Sequence, residues 1–128
     1  MTDTKIDKLD MIFELRKQFI KELNDKKQCY QNVPLLSLTD KNSQIILRDH
    51  IIKAAEELFE ANQELKNSKT HRESQITEFN KSAYVEELVD ALNFIFSALI
   101  LSDISSEELL DAYERKHKII IERIKNNY

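Results

Sequence analysis

Residues 83–101 run AYVEELVDALNFIFSALIL, an apolar stretch interrupted only by Glu86, Glu87, Asp90, Asn93 and Ser97. A helix that is apolar around so much of its circumference is expected to be buried on most sides. Glu87 and Asp90 are three positions apart, so on a helix both carboxylates project from one face, about one turn from each other. Burying unpaired carboxylates costs several kcal/mol, so protonation, a cationic partner or a metal must accompany them. The polar stripe Glu86, Asp90, Asn93 and Ser97 is narrower than an ordinary solvated face. It holds no Lys or Arg that could relieve like-charge crowding through an i,i+4 pair.

A second acidic pair stands earlier in the chain, Glu57 and Glu60 in EELFE. Alone, with Glu56 and Glu64, it reads as one wet helix face. Two matched pairs are another matter. Four carboxylates arriving as two helical doublets point to a divalent cation, most simply Mg²⁺, with Mn²⁺ as the substitute ion.

The composition sets the frame for these pairs. The chain has 128 residues, no glycine and one proline, Pro34. Tight hairpins and phosphate-cradling loops lean on glycine for positive φ, so helices joined by polar loops are expected, and a P-loop or Rossmann fingerprint is excluded. A net charge of −4 disfavours nucleic acid or anionic lipid as a partner. An anionic ligand would then need a metal or a local cluster of Lys and Arg. Cys29 is the only cysteine, so no intramolecular disulfide can form. No uncharged run has bilayer length and no apolar leader opens the chain, so a cytoplasmic protein with no membrane partner is expected.

Apolar residues at three- and four-residue steps predict a first helix over residues 4–28. A loop follows over 29–38, and a second helix, capped by Thr39 or Asp40, runs to residue 66. A polar connection over 67–75 leads to a third helix over 77–101. Ser105 and Glu108 form a capping box that opens a fourth helix reaching residue 126. The predicted architecture is a single all-α domain over residues 1–128, a four- to five-helix bundle. A di-iron centre is not expected: Glu114 and His117 make one Glu-x-x-His motif, and such centres use two. Lys116 and Arg123, seven apart and beside Tyr113 and Ile120, share a face of the fourth helix and could meet phosphate.

The order EELFE, VEELVDALNFIF and YERKHKIIIERIKNNY resembles the all-α nucleoside triphosphate pyrophosphohydrolases, which include MazG-like proteins and dimeric dUTPases. The family pattern ExxE…ExxD falls on Glu57, Glu60, Glu87 and Asp90. Tyr113, Lys116, Arg123 and Tyr128 match the terminal helix of the dUTPase branch. His117 and Ile120 stand where that branch carries asparagines, and the chain has no Trp. The resemblance implies Mg²⁺-dependent hydrolysis of a nucleoside triphosphate, dUTP or another dNTP favoured, to the monophosphate and pyrophosphate. It implies that the four carboxylates hold the metal and that Glu57 or Glu60 activates water. Lys116 and Arg123 would neutralise the phosphates, and Asn93, Tyr113 and Tyr128 would lie on the substrate side. It also implies a homodimer or larger assembly. The competing expectations are a non-catalytic bundle whose acidic stripes dock a basic protein, and a nucleotide-binding relative without turnover.

Overall fold

The computed structural model describes residues 5–27 and 33–126. Four α-helices, α1 (Lys8–Lys27), α2 (Lys41–Gln63), α3 (Lys81–Leu101) and α4 (Ser106–Lys125), are joined by loops and one 3₁₀ turn, Lys66–Ser68. Among the described residues there is no strand, in keeping with the absence of glycine and the helical periodicity.

The boundaries follow the caps. Thr4 and Gln28, the expected ends of the first helix, lie outside the described residues, as does the start of the following loop, Cys29–Asn32. The helix begins at Lys8 because the Asp7 carboxylate accepts from the amides of Leu9 (3.0 Å) and Asp10 (3.2 Å), satisfying donors that the first turn leaves without partners. Asp40 caps α2 by accepting from the Ser43 amide at 3.1 Å. The second helix stops at Gln63, short of the expected residue 66, because the Glu64 and Leu65 amides turn back to Ala61 and Asn62 and tighten the chain into 3₁₀ geometry. The third helix starts at Lys81, four residues later than expected. Asn67 clamps the Ile76 backbone through two hydrogen bonds of 2.8 Å each, and Asn80 then caps the Ala83 amide at 3.0 Å. Ser105 caps α4 as expected, accepting from the Glu108 amide at 3.1 Å.

The end of α3 shows how a chain without glycine turns. Asp103 takes a positive φ of 59°. The Ile104 amide donates to Leu99 (2.9 Å) and the Asp103 amide to Ile100 (3.0 Å), the pair of bonds that defines a Schellman motif. Aspartate tolerates the left-handed region better than most L-residues.

α2 and α3 form the most extensive helix contact. They run antiparallel, with His50 meeting Phe94 and Glu57 meeting Glu87 and Asp90. Ala54, Ala61 and Ala91 are buried on these two helices, and small residues let helix axes approach closely. α1 packs against the second half of α3. Phe13, Ile20 and Ile100 form the core cluster with Leu9, Phe96, Leu99 and Leu109 around it, and the Phe13 and Phe96 rings meet edge-on at 5.3 Å. Within this seam the Arg16 Nε–H donates to the buried Ser97 hydroxyl at 2.7 Å, giving a buried polar atom its partner. The Leu35 amide reaches the Leu101 carbonyl at 2.9 Å and ties the inter-helix loop to the end of α3.

One expectation is corrected. α3 is not buried on most sides within one chain: Val85, Val89, Leu92 and Ile95 remain 42–46% exposed. α2 takes the opposite face and α1 covers only the second half, so among the described residues this stripe is left half-covered. α4 completes the all-α architecture. It departs from α3 at a bend of 110°, packs against α1 at its start, where the Ser106 hydroxyl donates to the Asp10 carboxylate, and exposes every side chain from Leu110 to Asn126. No single helix among the described residues is long and apolar enough to cross a membrane.

Candidate metal centre

The antiparallel pairing of α2 and α3 brings the two acidic motifs together. One carboxylate oxygen each from Glu57, Glu87 and Asp90 can be chosen so that all three lie within 4.8 Å of one another. The cause is local and simple. Each motif puts its carboxylates one turn apart on a helix face, and the buried alanines bring those faces close. Glu60, the fourth expected ligand, is not part of this closest set, yet its charge acts on both Glu57 and Glu87. Glu57 and Glu87 are half-buried, while Asp90 and Glu60 are exposed. The cluster therefore sits at the rim of the helix pair, not in the dry interior that the apolar sequence around Glu87 suggests.

Electrostatics within the cluster are repulsive. Loss of water around Glu57 holds its carboxyl above the ordinary carboxylate range, and the charges of Glu60 and Asp90 push it further. Glu87 is raised for the same reasons, desolvation first and then Glu60. The charges acting on both groups are other carboxylates. In addition, Glu87 Oε2 is buried and makes no hydrogen bond, an arrangement that costs free energy unless something pairs with it. Clustered carboxylate oxygens with one buried and unpartnered fit a hard divalent cation such as Mg²⁺.

The remaining expected site residues separate into two groups. Asn93 lies on α3 one turn beyond Asp90 and is half-buried, close enough along the helix to serve the same site. Tyr113, Lys116 and Arg123 stand on the exposed part of α4, whose packing is against α1, so one chain by itself does not lay them over the α2–α3 pair. Tyr128 lies outside the described residues.

Sequence reasoning passed over Lys53, His50 and Phe94. Lys53 precedes Glu57 by one turn and Phe94 follows Asp90 by one turn, and the Lys53 ammonium lies 5.9 Å from the Phe94 ring centre. His50 meets the same ring edge-on at 6.1 Å. A cation and an aromatic ring therefore flank the acidic cluster along the helix seam. Only the antiparallel register joins them, since they are forty-one positions apart.

No family model, curated protein or solved structure matches the chain. The geometry of the site and the order of its motifs therefore carry the functional reading.

Proposed function

We propose that this chain is a Mg²⁺-dependent nucleoside triphosphate pyrophosphohydrolase that favours a deoxynucleoside triphosphate, dUTP among the candidates. The supporting observation is the convergence of Glu57, Glu87 and Asp90 oxygens within 4.8 Å, from two motifs spaced ExxE and ExxD. In this reaction water adds to one phosphorus of the α–β anhydride, the bridging P–O bond breaks, and the monophosphate and pyrophosphate leave.

Bound between the helices, Mg²⁺, or Mn²⁺ in its place, would offset the triphosphate charge and lower the pKa of a coordinated water. Glu57, Glu87 and Asp90 would hold the ion. Glu60 lies outside the closest set, which frees it to orient or deprotonate the attacking water as a general base; Glu57 is the other candidate. Lys53 stands one turn from Glu57 and offers a cation to the phosphate chain from within the helix pair, and Lys116 and Arg123 would do so from α4. Asn93 donates to sugar or base, with Phe94 one residue further along the helix.

The test is a panel of dNTPs and NTPs with Mg²⁺, scored separately for pyrophosphate and monophosphate. Glu87→Gln and Asp90→Asn should each abolish release of both products while leaving the circular dichroism of the helices unchanged. Unaltered turnover in both variants would refute the assignment.

A further inference from the structure

We infer that the cavity at the C-terminal end of α2 is a metal-independent anion site, which takes a phosphate or pyrophosphate group on Lys66, Lys69 and Arg72. These three cations recur at three-residue steps in the connection between α2 and α3. Two consecutive tight turns carry them. The Ser68 amide donates to the Leu65 carbonyl at 3.0 Å, and the Arg72 amide to the Lys69 carbonyl at 3.2 Å. In 3₁₀ geometry side chains at i and i+3 eclipse, so Lys66 and Lys69 fall on one side, and the second turn brings Arg72 back towards Lys69. Asn67 fixes this stretch by gripping the Ile76 backbone through both ends of its side-chain amide. All three cations line one surface cavity of about 600 Å³, with Asn62, Gln63 and Ser68 beside them.

The charge of the walls selects the ligand. Glu60, Glu64 and Glu73 are the nearest acids in sequence, and none of them lines the cavity. Among the described residues no ion pair engages Lys66, Lys69 or Arg72. In a chain of net charge −4, three like charges gathered without a counter-ion repel one another, and an oxyanion between them relieves that repulsion. A guanidinium fork and two ammonium groups can meet several phosphate oxygens at once, and the two side-chain amides and the hydroxyl add neutral donors. Pyrophosphate, with oxygens on two phosphorus atoms, can engage all three cations. A single carboxylate offers two oxygens and cannot.

The cavity also lies in line with the carboxylate cluster. Gln63 follows Glu60 by one turn of α2, about 5 Å of rise. Binding itself requires neither metal nor turnover. Only the source of the anion, the end of a bound triphosphate or a free ion, depends on the function proposed above.

The test records ¹H–¹⁵N spectra of the full chain, freed of divalent metal on a chelating resin, against sodium pyrophosphate at constant ionic strength. The amides of Ser68, Lys69 and Arg72 should shift and saturate, while those of α4 stay in place. Lys69→Ala/Arg72→Ala, at exposed positions, should weaken binding roughly 10–100-fold with unchanged circular dichroism. Glu87→Gln should bind pyrophosphate as the parent chain does, so failure of the metal centre and failure of this site are read apart. Amides of residues 62–72 that do not move overturn the proposal. So does a double variant of unaltered affinity, or loss of metal-free binding in Glu87→Gln. If the double variant fails to fold, the shifts in the unaltered chain decide. With Mn²⁺ and the dNTP panel, a raised KM in the double variant assigns the anion to the substrate's own phosphates. An unchanged KM beside lost pyrophosphate binding assigns it to a free ion, and both results support the site.

Discussion

Leucine in place of Ala91 should push the two acidic motifs apart. Ala91 is 1% exposed and shares its helix face with Glu87 and Phe94, both of which meet side chains of α2. On the facing helix Ala54 and Ala61 are also buried. Helix axes packed through small side chains lie near ~8 Å apart and through larger ones near ~10 Å, so the added bulk should widen the seam by about 1–2 Å. Two oxygens on one Mg²⁺ are at most about 4.2 Å apart, twice the ~2.1 Å bond length. Oxygens within 4.8 Å reach that limit by rotamer adjustment, whereas a seam opened by a further 1–2 Å puts it out of range at about 6 Å. The same overpacking should cost about 1–3 kcal/mol of stability, at roughly 4 °C of Tm per kcal/mol. Urea unfolding measures the stability and isothermal titration with Mn²⁺ measures the binding, which should weaken roughly 10–100-fold. Ala55→Leu, which adds the same bulk at an exposed position of α2, should leave both unchanged. If Ala91→Leu binds Mn²⁺ as the parent chain does and is equally stable, close packing of α2 and α3 does not build the site.

Three further outcomes follow from named contacts. In cation-free buffer the raised Glu57 and Glu87 carboxyls make the native chain bind more protons than the unfolded one, between the ordinary carboxylate range and their raised values. Stability from these groups should therefore fall as pH rises through that window. Thermal melts should show added Mg²⁺ stabilising the chain most above the window and progressively less below it, as protons displace the ion; in Glu87→Gln, slope and Mg²⁺ effect should both shrink. Asp103→Gly removes the Cβ from a residue at φ 59° and should stabilise the chain by up to about 1 kcal/mol in urea unfolding; a loss instead would mean that the Asp103 side chain makes a contact worth more than the relief. Ser105→Ala deletes the 3.1 Å cap on the Glu108 amide and should cost about 1 kcal/mol, read as faster hydrogen exchange in the first turn of α4 and unchanged exchange in α2.

The all-α character, the number of helices and the caps of α2 and α4 were legible in the chain, because they depend on local chemistry. Apolar residues at three- and four-residue steps declare a helix, and the Asp40 and Ser105 side chains cap the nearest amides wherever the helix later packs. The late start of α3 was not legible, since it depends on Asn67 gripping Ile76 from nine positions away. The two carboxylate pairs were visible as motifs for the same local reason: spacing alone places Glu87 beside Asp90 and Glu57 beside Glu60.

Which of those carboxylates share a point in space was settled only by the meeting of α2 and α3. Three buried alanines set that approach, and it leaves Glu60 outside the closest group while adding Lys53 and Phe94 to the neighbourhood. The direction of α4 is likewise a tertiary result. Its amphipathic pattern requires a partner for the apolar stripe but says nothing of which helix that is, and the turn through Asp103 and Ile104 carries it off the bundle. Periodicity is a property of neighbours in sequence; convergence and direction arise from contacts between residues far apart in it.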